Sequence, residues 1–155
     1  MARDTRIVNA RPPDVWAVLA NGWLYPSWVV GASRMRKVAA DWPDVGAELH
    51  HSVGTWPLLI DDTTTVLISR PPHLLRLRVR AWPGGEAEVE LQLHPVSGRP
   101  DQTEIVMFEY PKQGPGHWIP KPLVDLALHP RNRETLQRLA YLAEGRPDPG
   151  EQAAS

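Results

Sequence analysis

Hydrophobic positions in the first thirty residues predict one strand and two short helices. Residues 5–9 have the apolar content of a short strand. Pro12-Pro13-Asp14 then opens a helix, because proline is tolerated in a first turn and an acidic residue suits the positive end of the helix dipole. Asn21-Gly22 ends this helix, and residues 23–30 predict a second short helical or irregular piece.

From residue 32 onward the hydrophobic period changes from helical to alternating, which predicts antiparallel strands. Turn residues such as Trp42-Pro43-Asp44 and Arg70-Pro71-Pro72 separate the alternating runs. The predicted strands are residues 33–40, 47–53, 58–69, 74–82, 86–94 and 103–110.

The clearest local signal is a charged hairpin centred on Gly84, in which arginines alternate with apolar residues before the turn and glutamates do so after it. A three-residue loop over residues 83–85 would place Arg80 opposite Glu88 and Arg78 opposite Glu90. We interpret this ladder as a solvated outer face of the sheet; the alternative is a docking surface.

Helical spacing returns near the C-terminus. Residues 122–144 predict one amphipathic helix of about 34 Å at 1.5 Å per residue. Pro130 removes a backbone hydrogen bond inside it, which predicts a kink or a short break. Gly145 is a good C-terminal stop. We therefore expect a single domain over residues 1–145 and a flexible tail over residues 146–155.

The order of these elements predicts an α+β fold. An antiparallel β-meander of about six or seven strands has one apolar face, and the long C-terminal helix is the only element large enough to cover it. A twisted sheet wrapped around one helix leaves space between the two. Ligand sites tend to be concave, mostly apolar spaces of this kind.

The segment NARPPDVWAVL at residues 9–19, followed by YPSW at residues 25–28, resembles the start of the START / birch-pollen-allergen-like superfamily, often called SRPBCC. The segment RNRETLQRL at residues 131–139 is similar to the C-terminal helix of its bacterial polyketide cyclase/dehydrase-like members. The resemblance spans about residues 3–145. It implies a helix-grip fold with a deep cavity for hydrophobic or aromatic ligands. The superfamily shares no single catalytic residue set, so the resemblance transfers no active site.

Composition narrows the function classes. Seventeen Lys and Arg against 18 Asp and Glu give a net charge of -1, which argues against a nucleic-acid platform and a polybasic membrane anchor. The absence of Cys excludes disulfides, thiolate metal sites and Cys nucleophiles. No apolar run reaches the length of a membrane span, and the N-terminus lacks a signal-peptide core, so we expect a cytoplasmic protein. The glycine-rich segment 114–117 is too irregular for a phosphate-binding loop. We expect no cofactor.

Several ionisable side chains are candidates for catalysis inside the cavity. His50-His51 lies mid-strand, so one imidazole points to each face, and alternation does not decide which one faces inward. This arrangement excludes a shared metal ion, and no metal site is expected. Asp61-Asp62 interrupts a β-prone run, so one carboxylate faces the concave side if the strand is regular. The alternatives are a structural or surface role for the histidine, and a bulge or exposed edge for the aspartates.

Glu109 is a further catalytic candidate, and its direction depends on the phase of strand 103–110. One phase turns Glu109 inward together with Ile105 and Met107. The other turns Phe108 and Tyr110 inward, and the apolar count favours that phase. The pattern does not decide between them.

Aromatic residues on connecting segments are candidates for a wall on which a flat ligand stacks, the alternative being ordinary packing. The candidate ligand-binding residues are Trp23, Tyr25, Trp28, His50, Trp56 and Trp118.

The leading hypothesis is a protein that binds a hydrophobic or aromatic small molecule, lipid- or polyketide-like, between the sheet and the C-terminal helix. The alternative is a polyketide aromatase/cyclase or dehydratase, which needs at least two ionisable side chains converging inside the cavity. A third hypothesis is a protein–protein adaptor that uses the charged outer face. The sequence leaves open whether the protein is a monomer or a dimer.

Overall fold

The predicted order of strands and helices is confirmed in a computed structural model, which describes residues 1–53, 57, 60–81, 85–113 and 120–145. The strands are β1 (Ala2–Val8), β2 (Ala32–Val38), β3 (Glu48–Val53), β4 (Ile60–Arg70), β5 (Leu74–Ala81), β6 (Gly85–Val96) and β7 (Arg99–Gln113). The helices are α1 (Pro12–Ala20), α2 (Tyr25–Trp28) and α3 (Lys121–Ala143), with a 3-10 turn (Gly22–Leu24) before α2.

The seven strands form one antiparallel sheet in the order β1-β7-β6-β5-β4-β3-β2. Strands β2 to β7 follow one another as a meander, as expected for strands joined by short turns. The first strand closes the other side, because β1 pairs along β7 from Ala2 opposite Glu109 to Val8 opposite Thr103. The N-terminus is thereby brought next to Glu109 of β7.

One face of the sheet holds the hydrophobic core. Its central side chains include the fully buried Leu75, Leu91 and Ile105. Helix α3 covers this face with Leu136 and Leu139. It packs mainly along β1 and against α1 and α2, so the sheet is not covered uniformly.

The predicted register of the charged hairpin is wrong by two residues. Arg80 lies opposite Glu86 and Arg78 lies opposite Glu88. The reason is that β6 begins at Gly85, which pairs with Ala81, so the connection is residues 82–84 and lies outside the described residues. A shift of two residues keeps every side chain on its face, and the ladder still pairs opposite charges.

The outer charged face pairs its own charges. The Arg78 Nε atom lies 2.9 Å from a carboxylate oxygen of Glu86. Arg76 forms ion pairs with both Glu88 and Glu90. The carboxylates of Glu88 and Glu90 are largely covered, so this face is less solvated than we expected.

Helix α3 runs continuously from Lys121 to Ala143 through Pro130, so of the predicted kink or short break the break is absent. Its end is as predicted: Glu144 caps the helix and Gly145 follows with a positive φ of 69°. Among the described residues, no helix combines the length and the apolar character that a bilayer span requires.

The contribution of α3 to the core can be tested with two leucines of the same helix. Leu139 is fully buried, whereas Leu126 is 70% exposed. We expect Leu139→Ala to lower the free energy of unfolding by about 2–5 kcal/mol, because it leaves a cavity in the core. Leu126→Ala, the matched control, should change it by less than about 0.5 kcal/mol. Urea unfolding followed by circular dichroism measures both; equal losses would contradict this packing.

Candidate functional site

A cavity of about 120 Å³ lies between the concave face of the sheet, the segment that follows α2 and the middle of α3. Its sheet wall is apolar and is formed by Leu77 and Val79 of β5, Ala87 and Val89 of β6, and Met107 of β7. Polar side chains line the rest of the cavity: His51 of β3 and Glu109 of β7 on the sheet, and Arg131, Asn132 and Thr135 on α3. The uneven cover of the sheet by α3 leaves this space open.

Helix α2 supplies the aromatic end of the cavity. Tyr25 and Trp28 line it and are 3% and 2% exposed, with their rings edge to face at 5.3 Å. The preceding Gly22 lies so close to β2 and β3 that an added Cβ would be 2.7 Å from Val38 and 2.8 Å from Leu49. A side chain at position 22 would have to displace Val38 and Leu49, so the close approach of this turn to the sheet favours glycine here.

A buried hydrogen-bond chain joins α2 to the sheet. Thr64 Oγ1 lies 3.1 Å from the Tyr25 hydroxyl and 2.9 Å from His51 Nε2. The Tyr25 and His51 rings are also in contact, with centroids 5.1 Å apart. Thr64 has one proton to donate, so the direction of the chain follows from the tautomer of His51.

Burial keeps both ionisable members of this chain neutral. It lowers the pKa of His51 from 6.5 to about 4, and the charges of Arg36 and His50 act in the same direction. Burial likewise raises the pKa of Tyr25 to about 12, with the hydrogen bond to Thr64 acting against it. At neutral pH the chain therefore presents a phenol and an uncharged imidazole.

A charge pair completes the polar wall. Glu109 of β7 is 6% exposed, and both of its carboxylate oxygens lie 2.5 Å from Nη2 of Arg131 on α3. Both residues line the cavity. The guanidinium is partly exposed, so the pair reaches from the cavity toward solvent.

The direction of Glu109 settles the phase of its strand. Ile105 and Met107 face inward with it, which is the phase that the apolar count disfavoured. Phe108 and Tyr110 face outward, where their rings stack at 6.2 Å. The guanidinium of Arg3 lies 5.9 Å from the centre of the Phe108 ring, and that of Arg76 lies 5.2 Å from the centre of the Tyr110 ring. The two outward-facing rings are thus covered by arginine side chains and not by the core.

In each of the pairs His50-His51 and Asp61-Asp62, the two side chains lie on opposite faces of the sheet, as strand alternation requires. His51 faces the cavity, whereas His50 lies on the opposite face of β3 near Glu48 and does not line it. Asp62 is buried and lies opposite His51 in the register of β3 and β4, but its side chain does not line the cavity. Asp61 is exposed and forms an ion pair of 3.3 Å with Arg36.

Only some of the aromatic candidates for ligand binding line the cavity. Tyr25 and Trp28 line the cavity, but Trp23 is 61% exposed on the surface. Trp56 and Trp118 lie outside the described residues.

Three cavity residues on α3 were not singled out in the sequence: Arg131, Asn132 and Thr135. A signal was present, because Asn132 and Thr135 stand at helical spacing before Leu136 and Leu139 and so share their buried stripe. A polar residue in such a stripe indicates a buried polar contact. Within the described ranges, no three His, Asp or Glu side chains are grouped so as to hold a metal ion.

Residues 2–144 match the family described as polyketide cyclase / dehydrase and lipid transport. This match confirms the family resemblance given by residues 9–19 and 131–139. No curated protein sequence matches the chain.

Solved structures share the fold. A protein from Rhodobacter sphaeroides is 25% identical, with a TM-score of 0.69 over 92% of this chain and 91% of that one. A protein from Nitrosomonas europaea is 18% identical, with a TM-score of 0.69 over 99% and 96% of the two chains. A START superfamily protein from Mycobacterium smegmatis is 18% identical, with a TM-score of 0.65 over 93% and 94%.

The low pKa of His51 predicts a specific pH dependence of stability. Between pH 6.5 and about pH 4 the His51 imidazole binds a proton in the unfolded chain but not in the native protein. The stabilisation is thus complete above pH 6.5 and is lost as the pH falls, by about 3 kcal/mol in total. Between about pH 7 and pH 5, wild type should lose about 2 kcal/mol more than His51→Gln.

Urea unfolding of wild type and His51→Gln at both pH values measures this difference. The other titratable groups are the same in the two proteins, so their effect on the free energy of unfolding cancels in the comparison. Parallel pH profiles would show that His51 titrates normally. A nuclear magnetic resonance titration of the His51 ring checks the same pKa directly.

Proposed function

The chain belongs to the polyketide cyclase / dehydrase and lipid transport family, and from this premise we propose that it binds a hydrophobic or aromatic small molecule in the cavity between the sheet and α3. The observation that supports this proposal most is the apolar sheet wall facing a few polar groups. Ligand sites in proteins have this composition: apolar surface supplies affinity, and a few placed polar groups supply orientation.

The size of the cavity limits the ligand. Its volume of about 120 Å³ is close to that of an engineered apolar cavity of about 150 Å³ that binds benzene. A single ring or a short acyl segment therefore fits this space. A longer ligand would extend past Arg131, whose guanidinium is partly exposed.

Filling the cavity should abolish binding. Val89 lines the cavity, whereas Gln92 of the same strand alternates onto the outer face. In Val89→Phe the larger ring occupies the ligand space, so we expect at least a tenfold loss of affinity for every ligand that binds wild type. Gln92→Phe, the matched control, should bind as wild type does.

Native mass spectrometry and dye displacement with a panel of aromatic polyketides and lipids measure this binding. The proposal fails if no member of the panel binds wild type, or if Val89→Phe binds as well as Gln92→Phe.

A second candidate function is supported by the convergence of ionisable groups. Tyr25, His51, Glu109 and Arg131 all line the cavity, so the requirement for at least two such side chains is met. In a cyclase or dehydratase, the Tyr25 hydroxyl would donate a hydrogen bond to a substrate carbonyl. A buried carboxylate or imidazole would accept the acidic α-proton.

This candidate predicts an activity that depends on Tyr25. Incubated with a poly-β-keto thioester, wild type should shift the spontaneous mixture of products toward one cyclised or dehydrated product. Tyr25→Phe should slow this conversion by about 10²–10⁴-fold while binding is retained, because only the donor is removed. Tyr110→Phe, which changes a tyrosine on the outer face, is the control. Identical product mixtures with and without protein would leave binding as the function.

A further inference from the structure

Thr64 of β4 is a buried residue that contacts two side chains of the cavity wall. It is completely buried and is not one of the described residues that line the cavity. Its Oγ1 atom lies 3.1 Å from the Tyr25 hydroxyl and 2.9 Å from Nε2 of His51. A threonine hydroxyl donates one proton and accepts others, so the partner that donates to Thr64 determines the partner that receives its proton.

The surroundings of the other imidazole nitrogen decide the direction of this chain. Nδ1 of His51 is buried and forms no hydrogen bond with the described residues. The Ser52 carbonyl opposes the effect of burial on the pKa of His51, so it lies near the ring. Its hydrogen bond of 3.2 Å, however, is accepted from Ser33 Oγ and not from Nδ1.

The neutral imidazole of His51 has a single N–H. A proton on Nδ1 would be a buried donor without an acceptor, and such groups are rare in native proteins. A proton on Nε2 is instead donated to Thr64 Oγ1 at 2.9 Å. The structure therefore favours the tautomer with the proton on Nε2.

This tautomer leaves the proton of Tyr25 unused by the chain. His51 donates to Thr64, and Thr64 donates its own proton to the Tyr25 oxygen. Tyr25 is protonated at neutral pH, because burial raises its pKa to about 12. Its hydroxyl thus accepts from Thr64 and keeps a proton that it can donate elsewhere.

The Tyr25 hydroxyl lies near the polar end of the cavity. Tyr25 lines the cavity together with Glu109 and Arg131. After burial and the hydrogen bond to Thr64, the charges of these residues are among the further causes that act on the pKa of Tyr25, so they lie within electrostatic range of its oxygen. Glu109 and Arg131 pair with each other.

We propose that Thr64 and His51 are positioning residues that make Tyr25 a hydrogen-bond donor to the ligand, and that the ligand is an aromatic compound with a carbonyl group. This proposal rests on the proposed binding function and names the polar group that its ligand carries. A carbonyl oxygen accepts and never donates, so it complements a hydroxyl whose proton is free. Thr64 acts on the ligand only through Tyr25.

Two probes of the same shape isolate this hydrogen bond: acetophenone has a carbonyl oxygen where α-methylstyrene has a methylene group. Titration calorimetry gives the ratio of their Kd values for each variant. Thr64→Val deletes the hydroxyl and keeps the shape of the side chain. It should shift the ratio against acetophenone by about two- to tenfold, because Tyr25 loses the hydrogen bond that orients its hydroxyl. Thr64→Ser, which retains a hydroxyl, should keep the wild-type ratio.

The opposite direction of the chain predicts the opposite sign. If Tyr25 donated its proton to Thr64, Thr64→Val would release that proton and improve the relative affinity for acetophenone. Such an improvement, or an unchanged ratio, would overturn the proposal. In a Tyr25→Phe background, Thr64→Val should leave the ratio unchanged, because the hydroxyl through which Thr64 acts is gone.

The control variant is Thr65→Val, which changes the next residue of β4. Thr65 lies opposite Arg78, whose side chain belongs to the outer charged face. This variant should keep the wild-type ratio. Binding of α-methylstyrene by Thr64→Val with the wild-type Kd shows that this variant is folded.

Nuclear magnetic resonance measures the tautomer of His51 in wild type without any ligand. The nitrogen chemical shifts of the ring differ between the protonated and the unprotonated nitrogen, and the signals are assigned by their loss in His51→Gln. We expect the proton on Nε2 at neutral pH. A proton on Nδ1 would overturn the proposal whatever the ligands do.

The outcomes separate this proposal from the function on which it rests. If neither probe binds wild type while other aromatic compounds or lipids do, the assigned ligand class is wrong and the binding function stands. If no member of the panel binds either, both proposals fail.

Discussion

The burial of one face of the β-sheet is the constraint on which the rest of this structure depends. Leu75, Leu91 and Ile105 stand in the middle of that face and are completely covered. Their burial needs a second layer, which α1 and the C-terminal part of α3 provide through residues such as Leu136 and Leu139. The strand order brings β1 beside β7, and α3 then packs along β1.

The cavity follows from the same constraint. Helix α3 packs along β1 at one side of the sheet and does not cover every strand, so residues of β5 and β6 line open space instead. Polar side chains are tolerated there because they pair with one another. Tyr25 and His51 are joined by hydrogen bonds through Thr64, and Glu109 forms an ion pair with Arg131. This pairing lowers the cost of burying these polar groups beside the apolar surface of the cavity.

Strand β7 is an exception to the rule that hydrophobic side chains face the core and charged ones face solvent. It places Glu109 inside, while Phe108 and Tyr110 lie on the outer face. Arg131 neutralises the carboxylate, and Arg3 and Arg76 cover the rings. Each apparent exception thus has a partner that lies far away in the sequence, and no local pattern could supply it.

The order of strands and helices was determined by the sequence alone, because hydrophobic periodicity and the Pro and Gly turns act over neighbouring residues. The same holds for the placement of one member of each pair, His50-His51 and Asp61-Asp62, on the concave side. Only the tertiary structure decided which member faces inward, because that depends on register. It also showed that α3 adds Arg131 and Asn132 to the cavity wall, since the two walls meet only when the helix packs along β1.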